Sequence, residues 1–151
     1  MPHVMEFIGE QLSRYDTSAL DWLKLLPLNK SVLLHGECTF PGATPERGTE
    51  YGYRIRASVN VVMAPPYKFV HWGRIPSEKH TQGWYSGEQT FHFDDLEECA
   101  VHTLSHECFH FLSNSGQLAL KDSEANANWW GDRWLAAYRA LVDPGGQFRL
   151  F

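Results

Sequence analysis

The 151-residue chain carries, after residue 93, two long helical patterns joined by a short turn, and this pair most limits how it can fold. The first begins at Asp94 or Asp95, each followed three residues later by a glutamate in capping-box spacing, and is predicted to run to about Ser113. The second is predicted from residue 122 or 123 to about Val142. Helices joined by so short a connection pack antiparallel to each other.

The residues before the helix pair are patterned mainly as strands. The clearest is Tyr51–Met63, where apolar and polar side chains alternate and predict one buried and one solvated face. The other predicted elements are a helix at 18–26 ended by Pro27, strands at 31–40, 69–75 and 89–93, a turn at 41–45 and a loop at 76–89. Strands first and helices last predict an α+β fold, with a small, twisted, mainly antiparallel sheet packed on the first long helix.

Composition predicts a single domain over residues 1–151, because this length and 43% hydrophobic residues suit one core. Cys99 and Cys108 are predicted about 13 Å apart on one helix, too far to bridge, so the three cysteines are expected to be free thiols in the cytoplasm. The N-terminus shows no secretory signal. A formal charge of −5 argues against a nucleic-acid partner, and no apolar run is long enough to span a membrane.

The sequence His106-Glu107-Cys108-Phe109-His110 lies on the first predicted helix. Residues four apart differ by roughly 40° around a helix and by about 6 Å along it, so both imidazoles can bind one metal ion. Glu107 lies about 100° round from His106, where a base can take a proton from a water beside the ion. This motif also arises by chance, and the alternative interpretation is a solvated histidine face.

A third ligand is predicted from the second helix. Glu124 lies near the start of that helix, close to the end of the first, and two histidines with one glutamate leave a position open, as in catalytic zinc sites. Cys108 lies about 160° from His110 and points away. Asp122 is expected to cap the second helix, and Asp132 to lie about 12 Å beyond Glu124. The predicted zinc ligands are therefore His106, His110 and Glu124.

The segment after the motif resembles a known family. Its pattern Glu124-x-x-Ala127-Asn128-x-Trp130-Gly131-x-x-Trp134-Leu135 is similar to E-x-x-A-N-x-F-A-x-x-L-L in the ImmA/IrrE-like metallopeptidases and, more broadly, to the gluzincins, which are zincins with a glutamate third ligand. The resemblance covers residues 96–141. It implies a zincin-like fold, a Zn²⁺ cofactor and a supporting role for Asn128 beside a zinc-bound histidine.

The chain departs from that family in two respects. ImmA/IrrE-like proteins commonly have the motif His-Glu-Leu-Gly-His, whereas this chain has Cys108-Phe109 at its two middle positions. The DNA-binding helix-turn-helix that often accompanies these proteins is absent from the pattern. SprT-like proteases also share the HExxH helix, but the basic DNA-binding surface expected of them is missing. Control of transcription is therefore not implied.

Other residues have expected roles around this site. His102 is expected to line the cleft, and Tyr138 to lie in the core with Trp129, Trp130 and Trp134. The group that stabilises an oxyanion is expected among His71, His80 and Tyr85. The strand at 89–93 is expected to pair with an extended substrate.

Together these features predict a zinc-dependent metallopeptidase that hydrolyses protein or peptide substrates, with Glu107 as the general base. Two alternatives stay open. One is a non-catalytic binding module that retains zinc as a scaffold, and the other is a zinc hydrolase acting on a small molecule. Glu107 argues against the scaffold, because a structural site has no need of a base.

Overall fold

A computed structural model describes residues 1–29, 31–44 and 49–143, and within these ranges the chain is a mixed α+β protein, as predicted. Pro45 of the predicted turn and residues 144–146, which were expected to follow the last helix, lie outside them. The elements in chain order are α1 Pro2–Leu12, β1 Leu20–Pro27, β2 Leu34–Thr39, β3 Gly42–Thr44, β4 Thr49–Tyr51, β5 Tyr53–Val59, β6 Tyr67–Pro76, β7 Trp84–Phe93, α2 Leu96–Asn114 and α3 Glu124–Val142.

The strands form separate small sheets instead of the one sheet expected. β5 is the middle strand of the largest, with β1 parallel to it on one side and β2 antiparallel on the other. β6 and β7 form an antiparallel hairpin, and β3 and β4 form a short antiparallel pair. The predicted turn at 41–45 therefore contains β3, and the predicted loop at 76–89 is shorter, because β7 already begins at Trp84.

The core lies between β5 and α2. The apolar side chains of β5 are buried at alternate positions as predicted, at Tyr53, Ile55, Ala57 and Val59. Ser58, predicted on the solvated face, is buried as well, and the strand ends four residues before Met63. The apolar face of α2 packs against the apolar side chains of β5, and its fully buried members are Ala100, Val101, Leu104, Cys108, Phe111 and Leu112. This packing fixes which face of α2 is left for the histidines.

Two N-terminal elements differ from the prediction. The segment predicted as a helix at 18–26 is strand β1, which pairs with β5 from Leu20 opposite Tyr53 to Pro27 opposite Val59. Its leucines favour a helix locally, but the pairing with β5 overrides that weak preference. Helix α1 was not predicted, although its buried residues follow helical spacing: Val4, Phe7, Ile8 and Leu12.

The two long helices agree with their predicted bounds. Asp95 caps α2 by accepting a hydrogen bond from the Glu98 amide, and Gly116, at φ +81°, follows the end of that helix. α3 approaches α2 closely because Gly131 has no side chain: a Cβ there would lie 2.9 Å from His102 Nε2. None of the helices in the described ranges is long and apolar enough to cross a membrane.

All three cysteines are free thiols, as predicted. Burial raises the pKa of Cys38 and of Cys99 to about 12, and it also raises the pKa of Cys108 well above its usual value. A thiol binds a metal as its thiolate, so these residues are poor ligands at neutral pH.

Candidate metal centre

The structure brings together the three predicted ligands where the C-terminal half of α2 meets the first turn of α3. The two histidine Nε2 atoms lie 3.2 Å apart, and the Glu124 oxygens lie 2.9 Å from His106 Nε2 and 3.1 Å from His110 Nε2. Ligands about 2.1 Å from a tetrahedral zinc ion lie roughly 3.4 Å from one another. These three residues can therefore hold a metal ion.

The second ring nitrogen of each histidine, Nδ1, forms a hydrogen bond with a neighbouring side chain. His106 Nδ1 donates to Asn128 Oδ1 at 2.8 Å, and His110 Nδ1 donates to Asp122 Oδ1 at 2.6 Å. Because both acceptors are oxygens, Nδ1 carries a hydrogen in each ring, and Nε2, which faces the shared point, is the nitrogen left to bind a metal once it is deprotonated. Such partners fix the orientation of metal-binding imidazoles. The expected position of Asn128 beside His106 is confirmed.

The role predicted for Asp122 was wrong. Ser123 is the cap of α3, because its side chain accepts a hydrogen bond from the Asn126 amide. The cap therefore lies one residue later than expected, and the Asp122 carboxylate is left to accept from His110. No local sequence signal distinguishes Asp122 from Ser123 as the cap, since both residue types favour that position.

The charges of the site favour a cation at its centre. Burial lowers the pKa of His110, but hydrogen bonds with Glu124 and Asp122 raise it by more, to about 9. Hydrogen bonds from His106 and His110 hold the pKa of Glu124 far below its usual range. A carboxylate that stays ionised beside two imidazoles is a donor set that suits a divalent metal ion, which would displace the imidazolium proton.

Glu107 lies beside the ligands without joining them. Its Oε1 is 3.9 Å from His106 Nε2, and the residue is only 7% exposed. Burial raises the pKa of its carboxyl group by more than the nearby charges of His106 and His110 lower it, so the pKa of Glu107 lies above its usual value. A carboxylate in this environment accepts a proton more readily than one in water.

A cavity of about 220 Å³ opens in front of these residues. Residues 34–36 of β2 line it, and so do Phe69 and His71 of β6. β7, whose residues 89–93 were expected to pair with substrate, does not line this cavity, and one of its edges pairs with β6. The participation of β2 was not predicted, because it depends on how distant strands pair.

The remaining predicted residues divide between the cavity and other places. His102 lines the cavity and is buried, as expected. Of the three candidates for oxyanion stabilisation, only His71 lies there, since His80 and Tyr85 stack on each other with ring centroids 5.0 Å apart. In α3, Tyr138 and Trp134 are buried as predicted, whereas Trp129 is 44% exposed.

The hydrogen bonds to the imidazoles predict that Asn128→Ala and Asp122→Ala each weaken Zn²⁺ affinity by about tenfold to a hundredfold, because each ring loses the group that orients it. Affinity is measured by competition with a chromophoric chelator. Asn126→Ala is the matched control, since the Asn126 side chain donates to the Lys121 carbonyl and not to either of the two candidate ligand histidines. Unchanged affinity in both variants would mean that these contacts only pack the helices.

The site was also compared with known proteins. No protein-family model, no curated protein and no solved structure matches this chain. The chemistry of the centre therefore has to follow from its own residues and their geometry.

Proposed function

We propose that the protein is a zinc-dependent metallopeptidase in which His106, His110 and Glu124 bind the metal ion and Glu107 is the general base. The position of Glu107 carries the proposal. Its carboxylate is buried on the ligand helix and lines the cavity, yet it lies outside the ligand set. Burying an acid costs free energy, and a site that only stabilises a fold has no use for one beside its ligands.

The ligand set supports zinc as the metal. It offers two imidazole nitrogens and one carboxylate oxygen and includes no cysteine, and three protein ligands are typical of catalytic zinc sites. Zinc, when bound, lowers the pKa of a water molecule and polarises the carbonyl group of the bond to be cleaved.

The residues around the metal then have distinct tasks. Glu107 accepts the proton of the attacking water and passes it to the leaving amine. Asn128 and Asp122 hold the two imidazoles through Nδ1. His71, which lines the same cavity, is the candidate to donate a hydrogen bond to the developing oxyanion.

The wall formed by β2 favours a peptide over a small molecule as the substrate. β2 is an outer strand of its sheet, and its other edge has no partner strand among the described residues. Residues 34–36 of this strand line the cavity. An unpaired strand edge binds extended peptides through main-chain hydrogen bonds.

Elemental analysis combined with a cleavage screen tests the proposal. We expect about one zinc per chain, and we expect a chelator to remove both metal and activity and to lower the melting temperature. Wild-type protein added to a proteome should generate new peptide termini that Glu107→Gln does not. Full activity in metal-free protein would contradict the mechanism, and a zinc-loaded protein without any cleavage would favour the binding module.

The contact between β2 and Glu107 gives a further prediction. A methyl group at Gly36 would lie against Glu107 Oε1 and 2.9 Å from Thr103 Cγ2, so Gly36→Ala must displace the carboxylate. We expect kcat to fall by on the order of 100-fold with zinc content unchanged, because small displacements of a catalytic group have large effects. Gly9→Ala is the control, since a Cβ there meets nothing within 4 Å. An unchanged kcat would show that Glu107 tolerates the shift or has no catalytic task.

A further inference from the structure

A second pocket, of about 560 Å³, lies between β6 and the start of α3. His71 and Glu124 line both this β6–α3 pocket and the metal cavity, so the two spaces meet at a ligand carboxylate. A peptide bound across the metal centre can therefore extend into the β6–α3 pocket on one side of the bond to be cleaved.

The β6–α3 pocket carries positive charge in an acidic protein. Arg74 and Lys121 line it, and neither forms an ion pair within the described part of the chain. The acid that lines it is Glu124, whose oxygens are held by His106 and His110. Two cations without an acidic partner thus face one space, although the formal net charge is −5.

Arg74 is also held in place. Its guanidinium carbon lies 4.2 Å from the centroid of the Trp84 ring, so the cation stacks on the aromatic face. A stacked guanidinium keeps its N–H edge free, and that edge matches the two oxygens of a carboxylate. Trp72, which is 70% exposed, adds a second aromatic surface to the same pocket.

We propose that the β6–α3 pocket is a substrate subsite that binds a carboxylate of the peptide being cleaved, through Arg74 and Lys121. The carboxylate is either an aspartate or glutamate side chain near the scissile bond or the C-terminal carboxylate of the chain. This inference rests on the proposed peptidase function and adds to it the chemical class of the preferred substrate.

Binding to the zinc-loaded Glu107→Gln protein tests the subsite without cleavage. The probes are acetylated and amidated alanine pentapeptides with glutamate at each position in turn, their glutamine counterparts, and acetylated all-alanine peptides ending in a free carboxylate or an amide. Dissociation constants and shifts of the Trp72 and Trp84 indole N–H resonances are measured. We expect one acidic probe to bind about tenfold or more tightly than its neutral counterpart, as expected for charge-assisted hydrogen bonds.

Substitutions identify the residues responsible. Arg74→Gln and Lys121→Gln should each reduce the acidic preference, and the double substitution should abolish it. Lys68→Gln is the matched control, because Lys68 is an exposed cation on the same strand outside the pocket. An acidic preference that survives the double substitution, or that Lys68→Gln lowers equally, would overturn the proposal.

The glutamate-containing peptides and the peptides with a free C-terminus distinguish the two possible carboxylates. Comparing binding with cleavage distinguishes the subsite proposal from the peptidase proposal. Preference for an internal glutamate indicates a peptidase that cuts within chains, and preference for the free terminus indicates one that trims chain ends. Charge-dependent binding without cleavage by the wild-type protein would support the subsite and overturn the proposed peptidase function. Cleavage by the wild-type protein, with equal binding of the acidic and neutral probes, would support the peptidase function and overturn the subsite.

Discussion

Replacing Glu107 with glutamine is expected to leave a folded, zinc-containing protein whose kcat is lower by about two to four orders of magnitude. Glutamine has nearly the same shape but cannot accept the proton of the attacking water. Glu107 is buried and residues of β2 line the cavity beside it, so bulk water is poorly placed to take over as the base. Single-turnover kinetics on a substrate from the cleavage screen measure the loss directly, independent of product release.

Glu37→Gln is the matched control for this experiment. Glu37 also lies on the β2 side of the molecule, but its carboxylate is exposed and pairs with Arg56. We expect that variant to keep its activity. Wild-type turnover in Glu107→Gln would show that Glu107 is not the base, and loss of zinc from it would show that this residue supports the ligands instead.

Replacing Glu124 with alanine is expected to release the metal. Each carboxylate oxygen of Glu124 faces one of the two histidine Nε2 atoms, so the substitution removes a ligand and not merely its support. The loss of Zn²⁺ affinity should exceed the roughly tenfold to hundredfold decrease expected when an orienting hydrogen bond is lost. Zinc content after gel filtration and chelator competition measure it.

Asp132→Ala is the control for Glu124→Ala and should keep its zinc. Asp132 lies on the same helix, but its carboxylate is 3.2 Å from His102 Nε2, and His102 is outside the ligand set. A zinc-loaded Glu124→Ala protein together with an empty Asp132→Ala protein would show that the wrong carboxylate has been placed in the site.

The parts of the fold that follow from local pattern could be predicted. α2 and α3 have long periodic sequences and identifiable caps, and the apolar residues of β5 alternate along the strand. β1 could not be distinguished from a helix, because its conformation depends on pairing with β5, which lies some thirty residues later in the chain. α1 could have been found, since its apolar spacing is helical and a proline stands at its start.

The candidate site could likewise be predicted only where its residues are close together in the sequence. His106, Glu107 and His110 share one helical turn, and Glu124 follows a short connection, so their proximity could be predicted from spacing. Asp122 was assigned to the wrong task because capping and hydrogen bonding to His110 compete for the same side chain. The approach of Gly36 to Glu107 depends on the register of β2 with β5, which spacing along the chain does not determine.

The β6–β7 hairpin has a consequence for how such a protein can diversify. Its backbone hydrogen bonds form a ladder of their own, separate from the sheet that supports α2. The metal ligands, by contrast, all belong to the α2–α3 pair. Exchanging the outer half of the hairpin, with Arg74 and Trp84, therefore changes what enters the cleft while leaving the ligand frame in place. Under the proposed function, substrate preference would be a separable module, open to recombination or redesign without rebuilding the metal centre.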